Sequence, residues 1–226
     1  MKRILALAIV LAACAPSARA ADALDLDQVL QRAQIAHDAI QDLSAQLTMV
    51  RQIPELEVKE TSVGTLDFKK PRKLLITFTK PQLQYNLIVG REVTVYTPDK
   101  KQAEKYTLKG KGSGKVRAIG IGFMDSVGDA RKDFDVKLLG KDKVDGAPAY
   151  KIELTPKPDR DTGPYDRIII WFDTQRWLPT RLKLIESGGE VFTTITVSKL
   201  KLNKGIRDSK FQLKWPRDVD VIRPFD

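Results

Sequence analysis

The sequence predicts a mainly β, α+β protein in which one amphipathic helix precedes an antiparallel array of about eleven strands. Two observations carry this prediction. Beyond the N-terminal segment the apolar residues first recur at helical spacing and then alternate with polar ones in short segments separated by Gly and Pro. Several connections between these segments are too short for a crossover helix, so adjacent strands pair antiparallel.

The N-terminus has the layout of a secretory signal peptide. Three residues, Met1, Lys2 and Arg3, form a basic start, and an apolar run and a stretch of small residues follow. The apolar run is about ten residues long, whereas a helix that spans a bilayer needs roughly 20. We predict that residues 1–20 are removed and that residues 21–226, long enough to bury one core, form a single domain in the periplasm.

Two cleavage sites compete in this leader. Leu11-Ala12-Ala13-Cys14 matches a bacterial lipobox, and Ala18-Arg19-Ala20 matches the site of ordinary signal peptidase. Cleavage after Ala20 is favoured, because Pro16 would end the signal helix before it and a cut before Cys14 leaves an unusually short leader. The alternative, acylation at Cys14, would anchor the protein in the outer membrane.

Composition excludes several classes of function. The net charge is +10 at pH 7 and falls by three with the leader, but basic and acidic residues are interspersed, which predicts a solvated surface. Export argues against a nucleic-acid partner. One cysteine and one histidine provide neither a disulfide framework nor a metal site, so no metal or cofactor is expected.

The first element is predicted as a helix from about residue 26 to residue 44, with Asp25 or Asp27 as its cap. Its apolar stripe, which predicts packing on a core, consists of Val29, Ala33, Ala36, Ile40, Leu43 and Leu47. The predicted strands are 46–52, 61–68, 73–79, 84–89, 92–96, 102–108, 134–139, 149–155, 167–172, 180–186 and 191–202. Between the two groups, a basic Gly-rich loop and a short second helix near 116–127 are expected.

Segments 74–78 and 168–172 are apolar on both faces, so other parts of the chain must cover the second face. Two modest helices cannot fill the concave side of a curved sheet of this size, which predicts an internal apolar cavity; a fully packed core is the alternative. Strand alternation and the helix stripe place the following residues on the cavity wall: Val29, Ile40, Leu43, Leu66, Phe68, Leu74, Ile76, Phe78, Ile152, Leu154, Ile170 and Phe172.

An ordered set of short motifs covers nearly the whole mature chain. It comprises GTLDFKKP at 64–71, KP at 80–81, VTVYTP at 93–98, Gln102, IELTPK at 152–157, LP at 178–179, Gly188-Gly189, Asn203, FQLKWP at 211–216 and Val219. In these motifs the chain resembles the LolA family of periplasmic lipoprotein carriers. The resemblance implies an unclosed antiparallel β-barrel whose helices form a lid over a hydrophobic cavity. It also implies a monomer that takes acyl chains of lipoproteins from an inner-membrane exporter to an outer-membrane acceptor.

The resemblance also assigns a role to Lys70. The family commonly has an arginine before this proline, which latches the lid, whereas lysine offers a compact charge rather than a planar fork of donors. Lys70 is therefore either a weaker lid latch or an ordinary solvated turn residue. Two other functions stay open: a lipid-anchored, LolB-like outer-membrane acceptor acylated at Cys14, and a carrier of a different amphiphile such as a pigment or polyketide lipid.

Catalysis is not expected. His37, the sole histidine, falls near the polar edge of the predicted helix, where a solvated residue is the simplest interpretation. No serine lies in a nucleophile-elbow context, and Asp133, Asp135 and Asp166 occur at strand ends or turns, where solubility explains them.

Overall fold

The computed structural model describes residues 24–108, 127–158, 160 and 163–223. Helix α1 spans Leu26–Ala39, and a one-turn helix α2 spans Val127–Ala130. The strands are β1 Asp42–Ile53, β2 Val58–Lys69, β3 Lys73–Lys80, β4 Gln84–Val89, β5 Glu92–Thr97, β6 Gln102–Thr107, β7 Phe134–Val144, β8 Ala147–Pro156, β9 Tyr165–Asp173, β10 Pro179–Glu186, β11 Phe192–Leu202 and β12 Asp220–Ile222. In this part of the chain no helix has the length and apolar character needed to cross a membrane.

All strands of the described residues belong to one twelve-stranded sheet in the order β12-β6-β5-β4-β3-β2-β1-β11-β10-β9-β8-β7. Two antiparallel meanders, β1 to β6 and β7 to β11, are joined where β1 pairs with β11. Strands β7 and β12 form the two edges, so the sheet curls without closing. The predicted fold class, an unclosed antiparallel β-barrel with few helices, is confirmed. Strand β12, which pairs parallel to β6, was not predicted.

Helix α1 begins as predicted and ends earlier. The Asp25 side chain accepts a hydrogen bond from the Gln28 amide, and the Gln28 side chain accepts one from the Asp25 amide. The predicted end near Ser44 is wrong, because the backbone is already extended at Ile40 and β1 begins at Asp42. Leu43 and Leu47, assigned to the helix stripe, lie on β1, where pairing with β2 and β11 satisfies their backbone groups.

The leader, the Gly-rich loop and most of the predicted second helix lie outside the described residues. Only Val127, the last residue of that predicted helix, is described, and it begins α2.

Both faces of the sheet are covered where the sequence is apolar on both sides. On the concave face, α1 buries Val29, Leu30 and Ala33 in the main core. On the convex face, the C-terminal segment, defined here as residues 203–223, packs Phe211 against Leu75 and Leu87. The C-terminal segment therefore covers the convex side of segment 74–78, while Leu74, Ile76 and Phe78 face the main core on the concave side.

A buried carboxylate holds the C-terminal segment in place. Asp42 is 4% exposed and accepts hydrogen bonds from the backbone amides of Lys204, Gly205 and Ile206 at 2.8, 2.9 and 3.3 Å. Asp67, also buried, accepts one from Ser44 and forms a 2.7 Å ion pair with Lys210 of the segment. Each buried charge is thus paired or hydrogen-bonded, as burial of a carboxylate requires.

Gly64 allows β2 and β3 to approach closely where the sheet bends. A Cβ atom on this residue would lie 2.0 Å from the backbone oxygen of Thr77. Because that oxygen belongs to a paired strand and cannot move away, we expect Gly64→Ala to lower the free energy of unfolding by about 2 kcal/mol. Urea unfolding measures the change. Thr65→Ala, at the exposed neighbouring position, should stay within about 0.5 kcal/mol of the parent, and an equally small change in Gly64→Ala would contradict the steric argument.

Candidate functional site

The concave side of the barrel contains a cavity of about 430 Å³ that α1 does not fill. This volume lies within the range of small-molecule sites in proteins. The cavity lies between a wall formed by β3 to β6 and a wall formed by β9 to β11, with β1 between them. Its apolar lining consists of Leu47, Met49, Leu74, Ile76, Phe78, Ile88, Val93, Val95, Tyr106, Tyr165, Leu184 and Ile195. Its polar lining consists of Arg51, Gln84, Asn86, Glu186 and Thr193.

The residues predicted to line the cavity separate into two groups. Leu74, Ile76 and Phe78, all on β3, line it. The remaining nine belong to the same core but are packed at 2% exposure or less and are not among its lining: Val29, Ile40, Leu43, Leu66, Phe68, Ile152, Leu154, Ile170 and Phe172. The physical reason is the docking of α1, which fills this part of the concave face and leaves the cavity toward the other end of the strands.

Most of the lining residues that were not predicted follow the same alternation. Met49 on β1, Ile88 on β4 and Val95 on β5 alternate with outward-facing residues, as Leu184 and Ile195 do on β10 and β11. The charged lining residues carry no such signal, because a charge within an alternating strand indicates an outward-facing position.

One end of the cavity is polar. Arg51 and Glu186 are both half-buried there, and neither side chain makes an ion pair or hydrogen bond with any described residue. Tyr165 is 4% exposed. Burial, together with the negative charge of Glu186, raises the pKa of Tyr165 to about 12, so its hydroxyl stays protonated at neutral pH. Away from this end, where β4 pairs with Ile76 of β3, the Oδ1 atom of Asn86 is buried without a hydrogen-bond partner in the described part of the chain.

Polar contacts hold α1 on the barrel at both ends. The Lys70 ammonium donates hydrogen bonds to the carbonyl oxygens of His37 and Asp38 at 3.0 and 2.9 Å, which places a cation at the negative end of the helix. Near the helix start, Arg131 forms a 2.6 Å ion pair with Asp27. On the intervening turn, the Arg32 guanidinium lies 5.0 Å from the ring centre of Trp177.

His37 is more enclosed than the sequence predicted. Its side chain is 13% exposed, its Nδ1 lies 3.4 Å from a carboxylate oxygen of Asp38, and its Nε2 is buried with no partner among the described residues. The expectation of a solvated histidine is therefore wrong, because most of the side chain is enclosed.

The carboxylates weighed for catalysis are dispersed. Asp166 accepts hydrogen bonds from the Ser187 hydroxyl and the Gly188 amide and so stabilises a hairpin turn. Asp133 forms a 4.0 Å ion pair with Arg160, and Asp135 is exposed on the edge strand β7. Among the described residues, no three His, Cys, Asp or Glu side chains lie together in a way that could hold a metal ion.

The fold and the cavity define the class: an unclosed antiparallel β-barrel with an apolar internal cavity and a helix packed on its concave face. A family model described as an uncharacterized protein matches residues 72–213, and the chain belongs to that family.

Curated relatives confirm the resemblance found in the sequence. An "Outer-membrane lipoprotein carrier protein" of Pseudomonas putida (strain KT2440) is 27% identical over 202 residues, covering 89% of this chain and 88% of that protein. A protein of the same name from Cupriavidus necator is 29% identical over 168 residues, covering 74% of this chain and 73% of that protein. The crystal structure of an uncharacterized conserved protein from Thermus thermophilus shares the fold, with a TM-score of 0.58 at 15% identity over 87% of this chain and 98% of that one.

Proposed function

We propose that the protein is a periplasmic carrier that shields the acyl chains of lipoproteins, or of a related lipid, in its cavity during transfer from the inner to the outer membrane. The observation that carries this proposal is the apolar cavity of about 430 Å³ inside an otherwise packed core. The names of the curated relatives support it. An inner-membrane exporter would load the carrier, an outer-membrane acceptor would unload it, and the carrier acts as a monomer.

The energetics of acyl chains explain why a carrier is needed. Each methylene group removed from water contributes about 0.8 kcal/mol. Transfer of a chain of roughly 14 methylenes from a membrane to water therefore costs about 11 kcal/mol of free energy. If a methylene occupies about the volume of a water molecule, ~30 Å³, the cavity holds roughly 14 such groups. One chain therefore fits the cavity as it stands, and cargo with more chains requires α1 to move outward.

Helix α1 is suited to serve as that movable lid. Its polar attachments include the contacts of Lys70, Asp27 and Arg32 and a 3.0 Å hydrogen bond from the Asn203 amide to the Ala39 carbonyl oxygen. Contacts of these kinds contribute about 1 kcal/mol each. A ligand that binds the open form better shifts the population toward it, provided that its acyl chains replace the core contacts of Val29, Leu30 and Ala33. In this proposal Lys70 is the lid latch.

Removal of the Lys70 ammonium tests the latch. In Lys70→Met the carbonyl oxygens of His37 and Asp38 lose their donor, so we expect the amides of α1 to exchange about fivefold faster, equivalent to about 1 kcal/mol. Hydrogen exchange followed by mass spectrometry measures the rate for 26–39. Lys59→Met, an exposed lysine on β2, is the matched control. Unchanged exchange of α1 in Lys70→Met would contradict the latch.

The function itself is tested by transfer. Purified mature protein added to spheroplasts should release acylated lipoproteins into the medium as complexes with the carrier. Release of a different acyl-bearing molecule would favour the alternative of another amphiphile. The anchored, LolB-like acceptor differs in its N-terminus, because it would retain an acylated Cys14, and the intact mass of the natural protein distinguishes it.

A further inference from the structure

We infer that the polar end of the cavity is a headgroup site for a zwitterionic amphiphile, with the anionic group at Arg51 and the ammonium group at Glu186. This inference rests on the proposed function, since it takes the apolar part of the cavity as the site of the acyl chain.

Strand register places the two charges at the same end of the apolar lining. Arg51 follows Leu47 and Met49 on the inward face of β1 and is paired with Thr193 of β11. Thr193 is paired in turn with Leu184 of β10, and Glu186 lies one inward position further along the same strand. The two charged residues are thus two strands apart, roughly 10 Å in the direction across the sheet.

Neither charge is neutralised within the described part of the chain. Arg51 and Glu186 do not pair with each other, although both are half-buried at the cavity rim. Glu60 lies opposite Arg51 on β2, but it is exposed and makes no ion pair with it. Half-buried charges without partners are unfavourable, and a ligand that carries both signs would satisfy both residues at once.

Two neutral polar groups also face the cavity without hydrogen-bond partners among the described residues. The Tyr165 hydroxyl is one, on a residue that is 4% exposed and lies directly opposite Glu186 in the β9–β10 register. The Oδ1 atom of Asn86 is the other. Buried polar atoms are almost always satisfied in folded proteins, so the Asn86 Oδ1 atom indicates a donor from a ligand, and the Tyr165 hydroxyl is available to donate to one. A phosphate or ester oxygen of the headgroup suits Tyr165. Asn86 is paired with Ile76 in the apolar part of the cavity, so it would accept from an N–H or O–H group between the headgroup and the chain.

The same arrangement discriminates against ligands of a single charge. A fatty-acid carboxylate or a purely anionic phosphate headgroup would satisfy Arg51 but would bring a second negative charge toward Glu186. The ammonium of a zwitterion removes that repulsion. Glu186 is therefore the residue that sets headgroup specificity, while Arg51 contributes to the binding of any phosphate-bearing headgroup.

The test uses the full mature chain loaded with a naturally fluorescent fatty acid as probe. Three lipids with the same single acyl chain displace the probe below their micellar concentrations: lysophosphatidylethanolamine, lysophosphatidylglycerol and a neutral monoacylglycerol. We expect the parent to bind the zwitterionic lipid about tenfold tighter than the anionic one. Glu186→Gln should bring these two affinities within about twofold of each other. Arg51→Gln should weaken both phosphate lipids about tenfold and leave the monoacylglycerol unchanged.

Two controls carry the same changes of charge on exposed residues outside the cavity. Glu55→Gln and Arg207→Gln should leave all three affinities unchanged. Equal binding of the three headgroups by the parent, or an unchanged preference in Glu186→Gln, would overturn the headgroup site while leaving the chain-binding cavity intact. Failure of the parent to bind the probe or any of the lipids would instead overturn the proposed function, and this inference with it.

Discussion

Ile76→Asn should weaken binding of an acyl-chain probe by at least about a hundredfold while the barrel still folds. Ile76 is 6% exposed and lies in the middle of the apolar β3 wall, between Leu74 and Phe78. An amide group there draws water into the path of the chain, and its desolvation on binding costs about 3 kcal/mol or more. Titration of a fluorescent fatty acid into the purified mature protein measures the affinity.

Two further variants separate the loss of binding from damage to the fold. Val89→Asn makes a comparable apolar-to-amide change on β4 at a side chain that is 38% exposed and not part of the lining, and it should bind normally. Ile76→Phe keeps the wall apolar but takes up cavity volume, and we expect about tenfold weaker binding at nearly unchanged stability. If a folded Ile76→Asn protein bound the probe with the affinity of the parent, β3 would not be part of the wall that contacts the acyl chain.

Asp42→Ala should destabilise the protein by about 4 kcal/mol, the largest loss of stability that we expect from a single truncation. The substitution removes the acceptor for three backbone amides of the C-terminal segment at a site that is 4% exposed. Each amide left without a partner costs about 1–3 kcal/mol. Release of the segment would also uncover the contact of Phe211 with Leu75 and Leu87.

Urea unfolding measures this loss, and limited proteolysis shows whether cleavage begins within 203–223. Asp208→Ala is the matched control, because Asp208 is an exposed carboxylate of the same segment that pairs with Lys69 and Lys73. Exposed pairs contribute little, so the control should lose about 1 kcal/mol or less. An Asp42→Ala protein that loses no more than this control would show that the buried carboxylate is not what fixes the segment.

Local sequence patterns predicted most of the fold because most strands pair with a strand that is their neighbour in sequence. The meanders connect neighbouring strands, so alternation and turn residues suffice to find them. Strand β12 breaks this rule, since it is three residues long and pairs with Gln102, which is remote in sequence. The end of α1 was misplaced because residues 40, 43 and 47 satisfy helical spacing, while 43 and 47 also fall on one face of a strand.

The site was predicted less completely, for a tertiary reason. Alternation selects residues that face the concave side, but it does not show how much of that side α1 fills. Phe68 and Phe172 are therefore fully buried in the main core, while Ile76 and Phe78 line open space. The bonds from Lys70 to the end of α1 join residues more than 30 positions apart, so no local pattern reveals them. Charged lining residues such as Arg51 were missed because alternation treats a charge as solvent-facing.

Native mass spectrometry of the mature protein purified from the periplasm, followed by analysis of the extracted lipid, tests the central claim most directly. We predict an intact mass that begins at Ala21, together with a bound acyl-bearing molecule that is lost in the Ile76→Asn variant. An acylated Cys14 would assign the protein to the anchored acceptors instead. A protein recovered without any acyl-bearing molecule, and unable to take one up from added lipid, would contradict the carrier.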